Sequence, residues 1–143
     1  NTIPFAKRFA RVNAVELNTT RKEMLDHNIK LYGIHNTTTH TGHYQDIACK
    51  LRQDIIFFDP PWGVEYKKYK HGTMRIKLTR GDASTAFENF VIGVKKITKY
   101  TMVKLPSNYD FEYFENAIRP HGVVITTRQF AKPNSCVVMI IKY

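Results

Sequence analysis

Four consecutive apolar residues, Ile55, Ile56, Phe57 and Phe58, run straight into Asp59-Pro60-Pro61-Trp62, and no other feature of the chain narrows its fold as far. A strand with one face in water alternates polar and apolar residues; an unbroken apolar run does not, so this strand belongs in a sheet covered on both faces, as parallel sheets are. Proline lacks the N–H that a ladder needs, so the two prolines end the strand. Open α/β sheets take their ligands just past the carboxyl ends of their strands. Asp59 to Trp62, which includes the chain's only tryptophan, is therefore the first candidate site.

Strand-like and helix-like stretches alternate through the rest of the chain. Ile3, Ala6, Phe9 and Ala10 recur at helical spacing and read as a helix leaving a loop. Val12 to Leu17 reads as a strand with Glu16 near its end. Thr19 or Thr20 is placed to cap the next helix, with Glu23 completing a capping box, and Met24, Leu25, Ile29 and Leu31 are its apolar positions up to Gly33. A short edge strand is expected within HNTTTHTG, a short helix around Ile47 to Leu51, and a loop or lid in VEYKKYKHGTMRIKLTRG. Ser84 to Thr98 regains helical spacing through Phe87, Phe90, Val91, Val94 and Ile97. Tyr100 to Leu105 is another strand, and Phe111, Phe114, Ala117 and Ile118 mark one more helix before Pro120 and Gly122. VVITTRQF and SCVVMIIKY, separated by AKPN, predict an antiparallel hairpin. Together these give an α/β, Rossmann-like domain over residues 1–143, a mostly parallel, twisted, doubly wound sheet with one reversed strand and a C-terminal hairpin.

A chain of 143 residues that is 43% hydrophobic suits one globular domain with a real core. Its formal charge of +10 favours a polyanionic partner such as nucleic acid, because clustered lysine and arginine release the counterions of phosphates. Cys49 and Cys136 lie in unrelated segments without CxxC spacing, so both are expected to be reduced core thiols. His40 and His43 have no partner pair at ligand spacing, and no metal site is expected. Without an apolar run long enough to span a bilayer or a signal-peptide pattern, an intracellular setting is expected, with nucleus, cytoplasm and a viral replication compartment left undivided.

The chemistry gathers at two strand ends. Glu16 stands where nucleoside-binding α/β folds receive ribose hydroxyls, although an acid at a helix entrance also suits the helix dipole. At the second end, an exocyclic base amine needs acceptors that aim its lone pair at an electrophile. The Asp59 carboxylate and the Pro60 carbonyl supply them, with proline fixing the backbone angle. Trp62 offers a face for base stacking, and Gly63 lets a ligand approach the backbone closely. Lys67, Lys68, Lys70, Arg75, Lys77 and Arg80, with Tyr66 and Tyr69 interleaved, are candidate phosphate contacts, although charge runs are more often solvated faces. Arg80-Gly81-Asp82 matches an integrin tripeptide and is read as chance.

NTIPFA, VNAVELNTTRKEMLDHNIKLYGI, FFDPPWG and Leu105-Pro106-Ser107-Asn108 follow one another as four motifs of the trimethylguanosine synthase family do, and the chain resembles that family along nearly its whole length. Members of that family are class I methyltransferases that use S-adenosylmethionine to methylate the N2 amine of 7-methylguanosine RNA caps. The resemblance implies that Asn1 and Thr2 touch the methionine part of the cofactor and Glu16, with Asn18 beside it, the ribose. His43 and Tyr44 fall at the adenine. It further implies that Asp59 and Pro60 hold the guanine amine, with Pro61 in the same catalytic loop, that Trp62 stacks on the cationic base, and that Asn108 lies with the substrate contacts. Capped RNA or a cap nucleotide would be the partner.

The chain departs from the family pattern at named places. Where the family has Gly-Asp-Phe, with the acid reading adenine, this chain has Gly42-His43-Tyr44, and Asp46 is the nearest substitute acid. The second glycine of PPWGG is Val64, and the arginine of LPRN is Ser107. The family's glycine turn and central strand, which lies between the Val12 and Ile55 strands, precede NTIPFA. They are expected from a longer chain or a neighbouring segment, since the gap would leave backbone groups unpaired. Two further readings stand beside cap methylation: methylation of guanine N2 or adenine N6 within RNA or DNA, and a catalytically degenerate subunit that binds RNA.

Overall fold

The fold is that of a computed structural model, which describes residues 1–62, 72–130 and 136–143. The chain divides into two compact units, Asn1–Leu51 and Arg52–Tyr143.

In the first unit, helix α1 (Thr2–Ala6) leads to strand β1 (Val12–Glu16), helix α2 (Thr19–Leu31), strand β2 (Thr37–Thr41) and helix α3 (Tyr44–Ala48). β1 and β2 pair in parallel from Val12 opposite Thr37 to Glu16 opposite Thr41, with α2 as the crossover. Asn18 caps α2, its side chain accepting the Arg21 amide at 2.9 Å. That displaces the expected threonine cap and leaves Glu23 out of reach of a capping box, because asparagine is the stronger N-cap. α2 ends in a Schellman turn: Gly33 takes φ +60° while the Ile34 amide bonds to Ile29 and the Gly33 amide to Lys30. α3 starts at Tyr44, earlier than the Ile47 expected, so Asp46 lies in its first turn where the helix dipole favours an acid. Asn36 donates to the carbonyls of Ala6 and Phe9, both at 2.8 Å, and so closes the turn after α1.

The second unit holds strand β3 (Ile55–Phe58), a hairpin of β4 (Lys77–Arg80) and β5 (Ala83–Ala86), and helix α4 (Phe87–Gly93) with a 3₁₀ turn at Val94–Lys96. Strand β6 (Tyr100–Pro106), helix α5 (Phe111–Ile118) and strands β7 (Val123–Phe130) and β8 (Cys136–Lys142) follow. Four strands form one sheet in the order β3-β6-β8-β7. β3 and β6 are parallel, and β8 runs antiparallel to both β6 and β7. One strand is reversed, as expected. It lies inside the sheet, however, which makes this sheet mixed and not mostly parallel. The β4–β5 hairpin puts a strand at Lys77–Arg80 where a loop or lid was expected, while residues 64–71 of that stretch lie outside the described residues, and it moves the helix start from Ser84 to Phe87. Gly81, at φ +57°, takes the first position of its two-residue turn, so Arg80-Gly81-Asp82 is a type II′ hairpin turn.

The core of this unit follows from strand alternation. Thr101, Val103 and Leu105 of β6 are buried, while Tyr100, Met102 and Lys104 are half-buried. Phe58 meets Phe90 edge-on at 4.7 Å, Phe87 stacks on Phe114 at 6.2 Å, and Tyr109 meets Phe114 at 6.0 Å. Each fully buried aromatic or aliphatic side chain contributes about 1.5 to 3 kcal/mol relative to exposure. Glu88 is buried among them and accepts the Tyr109 hydroxyl. Of the two cysteines only Cys136 is buried; Cys49 is exposed just after α3, which corrects the core position expected for it. Among the described residues no helix is long and apolar enough to cross a membrane.

Candidate active site

In the first unit, the parallel pairing of β1 and β2 sets Glu16 beside the Gly42-His43-Tyr44 turn. Glu16 lies opposite Thr41, and the Gly42 amide donates to the Glu16 carbonyl at 3.1 Å. The Glu16 carboxylate accepts the Asn18 amide through Oε1 at 2.9 Å, which orients it at the strand end. Asn18 is thus occupied locally, its amide on Glu16 and its side chain on the Arg21 amide. Gly42 has φ +139°, where side chains are strained, and an added Cβ would come within 3.2 Å of Ile47 Cδ1. His43 is the N-cap of α3, and Tyr44 opens the helix. Burial pushes the Tyr44 hydroxyl up to about 12, so it stays protonated at neutral pH and able to donate. Asn1 is the N-cap of α1 and Thr2 its first residue. A carboxylate at the end of a β-α-β unit beside a glycine turn fits the ribose of a nucleoside cofactor.

In the second unit, Phe58 pairs with Val103, so the next step of the parallel register carries Asp59 alongside Lys104. Lys104 Nζ lies 3.0 Å from Asp59 Oδ2, and both side chains are 30% exposed. The same ammonium stands 5.5 Å from the centre of the Trp62 ring, within cation–π range. Pro60 is buried, Pro61 exposed and Trp62 half-buried. The acid and the ring of the Asp59-Pro60-Pro61-Trp62 loop are therefore brought together through one lysine, as an acceptor and a flat face. As a contribution to stability, a part-exposed pair of this kind is worth only about 0.5 kcal/mol.

Lys104 is the site residue that sequence reasoning missed. The available signal was a lone lysine in the apolar strand YTMVKLP, one register step past the end of β3.

The remaining candidates divide. Arg75 is held by Asp110, its Nη2 2.9 Å from Oδ2, and lies over the Tyr113 ring at 3.5 Å, so its guanidinium serves this corner of the fold. The Tyr113 amide and the Arg75 side chain hold the Asp110 carboxyl below its ordinary value. Asn108 follows β6, and its carbonyl accepts the Met74 amide at 2.9 Å. Gly63, Lys67, Lys68 and Lys70 lie outside the described residues. Among the described residues no cluster of three or more histidine, cysteine or acidic side chains is arranged to hold a metal.

Comparison with known proteins bears on the family and the fold. An uncharacterized protein of Acanthamoeba polyphaga mimivirus is 33% identical over 147 residues, which take in 100% of this chain and 54% of the viral protein. The chain thus spans about half the length of that relative. Among solved structures, Trm5b from Pyrococcus abyssi matches with a TM-score of 0.65 at 15% identity, covering 99% of this chain and 40% of that one. TYW2 of M. jannaschii, in complex with AdoMet, matches with a TM-score of 0.57 at 16% identity, covering 99% of this chain and 61% of that one. At such identities the likeness speaks for a shared fold. A family model described as RNA cap guanine-N2 methyltransferase matches residues 1–142, and the chain belongs to that family.

Proposed function

We propose that the protein transfers a methyl group from S-adenosylmethionine to the exocyclic N2 amine of a 7-methylguanosine RNA cap. The observation that carries this reading is the pairing of Asp59 and Trp62 through Lys104 at the carboxyl end of β3. Family membership and the placement of Glu16 beside Gly42 support it. The cofactor, when bound, supplies an electrophilic methyl group on sulfonium sulfur. Glu16 would hold its ribose hydroxyls, with Tyr44 and His43 at the neighbouring turn and Asn1 and Thr2 toward its methionine part.

The chain's own residues then orient the acceptor. The Asp59 carboxylate and the Pro60 carbonyl accept the two N–H bonds of the amine, leaving its lone pair directed at the methyl group. Trp62 stacks on the base and fixes its plane, and a cationic base gains from the electron-rich ring face. Positioning supplies most of the acceleration, and the amine proton leaves after transfer with the carboxylate close by. Pro61 holds the loop's direction. Gly63, Lys67, Lys68 and Lys70, with Asn108, complete the proposed RNA side.

A second reading has an observation in its favour. Lys104 already places a positive charge near Trp62, which suits an uncharged base, guanine or adenine within RNA or DNA, better than a cationic one. Full-length protein incubated with tritiated S-adenosylmethionine and either 7-methylguanosine triphosphate or uncapped RNA separates the two. Label in the cap analogue is expected, falling about 100-fold in Asp59→Ala through lost orientation. In Trp62→Ala the KM for the base should rise about 5- to 150-fold, the equivalent of losing about 1 to 3 kcal/mol of stacking. Label confined to RNA would select the second reading. Bound cofactor without transfer would point to a degenerate RNA-binding subunit.

A further inference from the structure

Lysine is an uneconomical choice for the half-buried face of a strand, since its ammonium must find an anion or reach water. On β6 the same face carries Tyr100 and Met102, and Lys104 is its last half-buried position before Pro106. Register explains the placement. Phe58 opposite Val103 is the final step of the β3–β6 ladder, and in a parallel pair the following residues, Asp59 and Lys104, project side by side. Nζ lies 3.0 Å from Asp59 Oδ2 and 5.5 Å from the Trp62 ring centre. A single ammonium therefore touches the first and the last residue of the four-residue loop.

The two contacts have different physical effects. The hydrogen bond to Oδ2 selects a rotamer of the Asp59 carboxylate, whose two oxygens accept about four hydrogen bonds in all, so the ammonium leaves capacity for a base amine. The contact with the ring restrains the indole plane on which a base would stack. Neither contact requires Lys104 to touch the base. We propose that Lys104 is a positioning residue that presents Asp59 and Trp62 to the acceptor base, an inference that rests on the methyltransferase reading of the same loop.

Full-length protein, Lys104→Met and Lys104→Arg test this with the label assay on 7-methylguanosine triphosphate and uncapped RNA, with cofactor affinity measured separately. Methionine keeps the stem packed and removes the charge; arginine restores a cation able to pair with a carboxylate and lie on a ring. Lys104→Met should lower kcat about 10- to 100-fold on whichever acceptor the wild type uses, because misplacement by about 1 Å costs that much. Cofactor affinity should stay within about twofold, and Lys104→Arg should recover most of the rate. A Lys104→Met variant at wild-type kcat, or an arginine variant no faster than the methionine one, would overturn the proposal.

A second measurement works without turnover. Melting temperatures of Lys104→Met, Asp59→Asn and the double variant should be non-additive, since one contact cannot be lost twice. Additive shifts would sink the proposal. If the wild type methylates neither acceptor, the cap and RNA readings fail while this cycle still tests the tie between residues 59 and 104.

Discussion

Asn1–Leu51 buries only three apolar side chains, Ala6, Ile29 and Ala48, and none of them fully, whereas Arg52–Tyr143 closes around Phe87, Val91, Val103, Leu105, Phe114, Ile118, Met139 and Ile141. The first unit instead relies on polar contacts: at the ends of its elements Asn18 on α2, the Asn18 amide on Glu16 and the Gly42 amide on the Glu16 carbonyl, and between α2 and β2 the Thr39 hydroxyl on Asp26 at 2.6 Å. The second presents Asp59 and Trp62 from a strand rooted in packed aromatic rings. Hydrogen bonds of this kind contribute about 1 kcal/mol each and specify direction; buried rings contribute more and specify little beyond shape. The first unit is thus ordered mainly by directional contacts and the second by packed side chains.

The largest test of this contrast is Phe114→Ala, which should destabilise the protein by about 3 to 5 kcal/mol in denaturant unfolding, against about 2 kcal/mol for Ile29→Ala in the first unit. Equal costs would break the comparison. Next comes Asn18→Ala, which removes the cap of α2 and should cost about 1 kcal/mol. Faster hydrogen exchange at the Arg21 amide, with amides of β6 and β8 unchanged, would confine the loss to the first unit.

The smallest effect is acid sensitivity, and it compares one surface carboxylate from each unit. The Lys22 ammonium and then the Thr39 hydroxyl hold Asp26 below its ordinary value; the Tyr113 amide and then the Arg75 guanidinium do so for Asp110. A carboxyl group lowered in the folded state stabilises fully above its unfolded value and loses that contribution as pH falls through its folded one. Melting temperature should therefore drop as the pH is taken below about 3.8, the ordinary aspartate value, and Asp110→Asn, which can still cap α5, should flatten that drop. An unchanged profile would remove Asp110 from the account.

Periodicity made much of this fold legible before the structure. The Phe111, Phe114 and Ile118 stripe lies on a helix where its spacing put it, because burial imposes a period, and the unbroken run Ile55 to Phe58 forms the expected strand, although only Ile56 is buried and the other three are half-buried. Capping was off by one or two residues because Asn18, Thr19 and Thr20 are all competent caps and only geometry chooses among them. The β4–β5 hairpin was obscured by Lys77 and Arg80, whose charges mask a short strand that places Leu78 inward. Asp59 and Trp62 stood out by chemistry. Lys104 did not, because its role depends on strand register, which no single segment encodes.

The interior position of β8 has a consequence for how the protein is made. Cys136–Lys142 leaves the ribosome after every strand it joins, yet it bridges β6 and β7. Until it arrives, the β6 edge that will bond to it and the apolar surface of Val103 and Leu105 lack their final cover. The sheet that carries the Asp59-Pro60-Pro61-Trp62 loop is thus completed by long-range closure only once β8 has joined, a topology that slows folding and leaves the nascent chain open to edge-to-edge association.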